Sequence, residues 1–180
     1  MPTIFLQRAL MALSMLGLAL PALAHPGHAA DSGFGAGLLH PFSGLDHLLA
    51  LLAVGMWSRQ QRHAYVLAPA FLVLMALGAS IGLAPPALET SVAATVLLLG
   101  VLAAFALRVP PALSLLTVGV CGLLHGLAHG QELAGMESGA GFLLASALLM
   151  AAGALPGARV RRVAVAVIGA AGGVLLATLA

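Results

Sequence analysis

Six apolar stretches follow one another along most of this chain, and each is long enough, or nearly so, to cross roughly 30 Å of hydrocarbon as a helix. They lie near residues 34–57, 64–83, 88–107, 112–130, 139–156 and 162–180. The chain's punctuation falls between them: Arg59-Gln-Gln-Arg62, Pro85-Pro86, Arg108-Val-Pro110-Pro111, the 131–138 stretch, and Pro156 to Arg162. Of 180 residues, 62% are hydrophobic and 7% charged, with a mean hydropathy of +1.12. A soluble domain of this size would have to leave much of that apolar surface in water. The expected fold class is therefore all-α, an integral membrane helical bundle of six transmembrane helices over residues 34–180.

A pI near 9.5 could suggest a nucleic-acid binder. There is no lysine, however, and the seven arginines are scattered rather than gathered into a basic stripe. No nucleic-acid partner is expected; the lipid bilayer is. Cys121 is the single cysteine, so no intramolecular disulfide can form.

Residues 1–24 resemble a secretory signal, with Arg8 as the positive start, Ala9 to Leu20 as the apolar run and Ala22-Leu-Ala24 as the cleavage pattern. An uncleaved first membrane helix is the competing reading. Residues 25–33 then form a short periplasmic segment. Arg59 and Arg62 lie in the first loop between spans, Arg108 in the third, and Arg159, Arg161 and Arg162 in the fifth. Those loops share one side, which the positive-inside rule makes cytoplasmic. Asp31, Glu89, Glu132 and Glu137 fall on the other. Both chain ends are then outside, and the two three-span halves have opposite topology. That layout permits a 3+3 inverted repeat, although the halves show no convincing residue-level similarity.

Two polar stretches interrupt the apolar spans. His40-Pro-Phe-Ser-Gly-Leu-Asp46-His47 lies in span one, and His125-Gly-Leu-Ala-His129-Gly-Gln-Glu132 closes span four. On a helix, His125, His129 and Glu132 make one stripe, a face suited to a divalent metal ion. On a straight first span, Asp46 and His47 would lie roughly 18–20 Å along the helix from Phe34. An ionisable group inside a bilayer is costly unless it faces a partner or a wet cavity.

His40 and His47 would be about 10 Å apart on a straight helix, too far to share an ion. Pro41 and Gly44 permit a kink or an unwound segment between them; alternatively His40 is a first docking ligand nearer the mouth. Gly122, Gly126 and Gly130 form a stripe that allows close helix approach. Spans one and four are expected to pack there, bringing both motifs to one outward-facing cavity. Glu89, His25 and His28 are candidates for an entry path, although a helix-terminal charge and a solvated linker explain them as well. Cys121 reads as a buried thiol and His63 as a loop residue.

These two motifs, His40-x5-Asp46-His47 and His125-Gly-x-Ala-His129-Gly-x-Glu132, resemble those of the HupE/UreJ family over essentially the whole chain. The resemblance implies a small bacterial inner-membrane permease for nickel, sometimes cobalt, accessory to hydrogenase or urease. It implies metal ligands at His40, Asp46, His47, His125, His129 and Glu132. The residues themselves suit Ni, Co, Zn or Fe(II); the preference for nickel comes from the resemblance.

No prosthetic cofactor is expected; the ion, Ni2+ or Co2+, is cargo. The chain carries no phosphate-binding GxxxxGK[ST] loop, so ATP coupling within it is not expected. Two other readings compete. An intramembrane metal-dependent hydrolase would use three ligands and an open position, but no HExxH motif is present and the chain is not expected to be an enzyme. A metal sensor or chaperone subunit would need soluble surface that the short loops scarcely provide. The sequence specifies no oligomeric state.

Overall fold

The computed structural model describes residues 33–130, 132–133 and 135–179. The expected signal over 1–24 lies outside the described residues, as do His25, His28 and Asp31. Among the described residues the secondary structure is helical: α1 (Phe34–Leu39), a 3-10 turn (His40–Phe42), α2 (Leu45–Ser58), α3 (Ala64–Ile81), α4 (Leu88–Ala104), α5 (Pro111–His129), α6 (Gly135–Ala154) and α7 (Ala158–Leu179). Four helices, α3, α5, α6 and α7, are long and apolar enough to cross a membrane, and α1 with α2 make a fifth unit bent by 83°. The chain is a multi-pass helical membrane bundle.

Two of the expected spans differ in shape from a straight helix. The first breaks where Pro41 and Gly44 stand. Pro41 cannot donate a backbone hydrogen bond, and Gly44 is extended (φ −105°, ψ 117°), serving as N-cap of α2. Because α2 leaves at 83° to the segment before it, distance along a straight helix from Phe34 does not measure the depth of Asp46 or His47. The third expected span, 88–107, is helical only to Ala104. Ala106 turns into the left-handed region (φ 49°) just before the Arg108-Val-Pro-Pro stretch. At 17 residues, α4 is about 25 Å long, shorter than the usual 30 Å core.

Glycines set the helix pairs. A Cβ at Gly122, Gly126 or Gly130 would collide with backbone of Phe71, Met75 or Ala79, so the stripe on α5 is filled by α3. This corrects the expectation that spans one and four pack along it. A helical register shows which face is small, but not which neighbour fills it. Span one pairs instead with α6, through Gly37 against Ser138, Gly55 against Met150, Gly141 against Phe34, and Gly153 against Leu52. The remaining pair is α4 with α7, where Gly100 meets Gly169 and Gly172 meets Leu97. Backbones this close gain dispersion contacts that larger side chains would forbid.

The arginine-bearing loops meet at one end of the bundle. The Arg59 guanidinium donates to Ala154 O (2.9 Å), and the Gln60 amide to Ala103 O (3.0 Å). Leu107 O accepts from both Trp57 Nε1 (3.0 Å) and Gln61 Nε2 (2.8 Å), while Val109 N–H donates back to Gln61 Oε1. The Arg59 bond satisfies a carbonyl at the C-terminal end of α6, and the others tie the end of α2 and the loop after it to the end of α4 and the stretch beyond it.

Candidate metal centre

The centre begins at the last turn of α5. His125 and His129 are one turn apart, and the helix stops at His129. Glu132 is therefore not on the helical stripe that spacing alone predicts. Instead its backbone N–H donates to His129 O (3.0 Å) in the turn beyond. Its side chain folds back so that His129 Nδ1–H donates to Glu132 Oε2 at 2.7 Å. The three polar groups still converge, by a turn rather than by helical register.

The break in span one supplies the other side. His40 sits in the 3-10 turn and His47 in the first turn of α2. His40 Nε2 is 2.9 Å from His129 Nδ1 and 3.2 Å from Glu132 Oε2. Deeper in, His47 Nδ1 lies 3.0 Å from His129 Nε2 and 3.0 Å from His125 Nδ1. On its far side His125 Nε2 is 2.8 Å from Thr95 Oγ1 of α4. Phe142 of α6 backs the cluster, with ring centroids 5.5, 4.9 and 5.4 Å from those of His40, His47 and His129.

Exposure falls along this file. The Glu132 side chain is 56% exposed, His40 22% and His129 14%, while His47 and His125 are fully buried. The carboxyl of Glu132 is held down from its ordinary 4.5 to about 2, chiefly by hydrogen bonds from His129 and then His40, with burial opposing. An acid with a lowered folded pKa contributes stability above its unfolded pKa and loses it as pH falls toward 2. Between pH 5 and 8 Glu132 stays an anion.

Ligand atoms of His40, His129 and Glu132 lie within 4.8 Å of one another and could hold a metal ion. Nitrogen ligands about 2.0–2.1 Å from an ion are themselves about 3 Å apart when adjacent, the spacing seen here. Beyond His125, toward the arginine end, the bundle is closed by Leu51, Val54, Leu99 and Val118, all fully buried.

Five of the six ligand candidates thus come together. Asp46 stands apart: its Oδ1 accepts the backbone N–H of His47 (2.8 Å) at the start of α2, and it is not among the converging ligand atoms. Glu89 is exposed in the first turn of α4, at the same end as Glu132 but outside the cluster. Cys121 is buried among apolar side chains. Sequence reasoning missed Thr95 and Phe142. A hydroxyl inside an apolar helix and the sole aromatic of α6 were the available signals. An apolar cavity of about 450 Å³, lined by Met75, Ala79, Leu133 and Leu143 among others, has Phe142 in common with the cluster and none of its histidines.

The family description "HupE / UreJ protein" matches residues 13–180. "Protein HupE" of Rhizobium leguminosarum bv. viciae is 43% identical over 147 residues, covering 76% of each chain. No solved structure matches. With a match over nearly its whole length and a relative this similar, the chain belongs to the HupE/UreJ family of membrane proteins.

Proposed function

We propose that the chain is an uptake permease for a divalent transition metal ion, Ni2+ first and Co2+ second, serving nickel enzymes such as hydrogenase or urease. The observation that carries it is the file of one carboxylate and four imidazoles running from the exposed end of α5 into the bundle. Imidazole with carboxylate suits these ions over Mg2+ or Ca2+, and family membership favours nickel among them. Asp46, beside the helix break, steadies the backbone that presents His47 and adds negative charge near the path.

In this reading the protein lies in the bacterial inner membrane with six spans and both ends outside, after a cleaved signal over 1–24. The gathering of Arg62, Arg108, Arg161 and Arg162 around adjoining pockets at one end supports that end as cytoplasmic. An inverted repeat exchanging spans one and four, two and five, and three and six would exchange the α3–α5 pair with the pair of span one and α6. It would map the α4–α7 pair onto itself. Those are the close pairs the glycines make.

The ion sheds water at Glu132 and His40, enters between His129, His47 and His125, and leaves inward when the apolar layer beneath them parts. Moving a dication into a negative interior yields about 4.6 kcal/mol per 100 mV, twice the single-charge value, enough for a gradient on the order of a thousandfold. The protein acts as a carrier, not an enzyme.

The test is uptake of radioactive nickel by cells lacking other nickel importers, with Asp46→Ala and His129→Ala beside the parent. Accumulation unaffected by both substitutions would remove the assigned site. Acid should also oppose uptake, because protons compete with metal for imidazole. Nickel entry into proteoliposomes at a set potential is expected to fall severalfold from pH 7.5 to 5.5. A flat profile would argue against imidazole ligation. Phe142→Ala, which removes the wall behind three rings, is expected to weaken nickel binding by about tenfold, the scale seen when support behind metal ligands is lost.

A further inference from the structure

We infer that the centre is two metal stations sharing His129, an outer one of His40, His129 and Glu132 and an inner one of His47, His125 and His129, of which only one is filled at a time. The inference rests on the permease reading and gives it an order of events.

The two rings of contacts use opposite atoms of one side chain. His129 faces the outer group with Nδ1, 2.9 Å from His40 Nε2 and 2.7 Å from Glu132 Oε2. It faces the inner group with Nε2, 3.0 Å from His47 Nδ1. A neutral imidazole carries one N–H and one lone pair. With the lone pair on Nδ1 the ring serves the outer station; with it on Nε2 it serves the inner one and donates Nδ1–H to Glu132. One station is therefore emptied when the other fills. The hand-over is a change of tautomer, so the ring carries one proton before and after it.

The inner station is prepared by groups with no part in the outer one. Thr95 Oγ1 is 2.7 Å from Val92 O and 2.8 Å from His125 Nε2. Its single hydrogen goes to the carbonyl, so the hydroxyl accepts His125 Nε2–H and leaves His125 Nδ1 bare toward His47. Fixing a ring's tautomer through its far nitrogen is how residues behind a metal site tune it. The other nitrogen of fully buried His47, Nε2, has no hydrogen-bond partner, so Nδ1 is the atom held by the cluster. Thr95 is thus a positioning residue for the inner station. The stations differ in character: the outer includes a carboxylate in partial contact with water, while the inner is all nitrogen and includes two fully buried rings. The first attracts dications broadly, and the second selects those that accept imidazole, which excludes Mg2+ and Ca2+.

The test uses the full-length protein in lipid nanodiscs with Co2+ alone, read by equilibrium dialysis and by the visible absorption of bound cobalt. The parent is expected to bind one cobalt. His40→Ala and His125→Ala should each still bind one, with different spectra, because each leaves one station intact. His129→Ala should bind none tightly. Thr95→Val should weaken binding about tenfold or more in the His40→Ala background, with no change in the His125→Ala background, and Thr95→Ser should restore it. His40→Gln and His125→Gln serve where an alanine variant does not assemble.

Two cobalts bound to the parent would overturn the exclusion. Loss of binding in both single variants, with parental binding and nickel uptake intact, would mean one composite site; the permease reading would survive and the two stations would not. Equal weakening by Thr95→Val in both backgrounds would remove its assigned role. A parent that neither binds cobalt nor takes up nickel would sink the permease reading as well.

Discussion

Replacing His129 with alanine is expected, in the permease reading, to lower nickel accumulation at least about 100-fold, toward the background of cells without the protein. The other imidazoles each touch a part of the file, but His129 meets His40 and Glu132 through one nitrogen and His47 through the other. In the permease reading its loss removes a ligand and also opens a gap in the middle of the path. Losing even a residue behind a ligand costs roughly 10–100-fold in metal affinity, so losing the shared ligand sets the lower bound at the top of that range. Uptake measured against membrane-inserted protein separates this from poor expression. Retention of more than a tenth of parental accumulation per inserted molecule would contradict the assignment.

Gly126→Val is expected to have the largest effect on assembly, although it adds no charge and removes no ligand. A Cβ at residue 126 meets the carbonyl oxygen of Met75 and the backbone nitrogen of Ala79, and backbone cannot move aside as a flexible side chain can. Overpacking costs about 1–3 kcal/mol even where side chains yield. A loss of about 3 kcal/mol corresponds to about 10 °C in the unfolding midpoint of a chain this size. Gly139→Ala is the control, since nothing lies within 4 Å of a Cβ there, and it should leave the midpoint unchanged. Thermal unfolding in detergent or nanodiscs measures both. Equal midpoints for Gly126→Val and the parent would mean that α3 and α5 are less closely locked than described.

Much of this arrangement was legible from residue order because membrane helices declare themselves by length and apolarity. The punctuation at Arg59–Arg62, Pro85-Pro86 and Pro110-Pro111 falls where helices end, and Pro41 with Gly44 marked a possible break in the first span. What was not legible is partnership. The stripe of Gly122, Gly126 and Gly130 gives a smooth face, but Phe71, Met75 and Ala79 carry no mark that they fill it. Glu132 was placed on a helix by spacing, whereas α5 ends at His129 and a turn brings the carboxylate back. Thr95 and Phe142 reach the centre from α4 and α6, and neither residue type signals a metal site alone. Local pattern specifies faces and ends; the meeting of four separate segments is decided by packing.

The helix pairs also bear on how such a molecule can move. Backbones that touch through glycine leave little slack to slide, which ties span one to α6, and α3 to α5, as two closely locked pairs. His40, His47 and Phe142 ride on the first, and His125, His129 and Glu132 on the second. In the permease reading the ion would be held across the seam between them, so the same parting that opens a way through the bundle would pull its ligands apart, and passage and release would become one mechanical event.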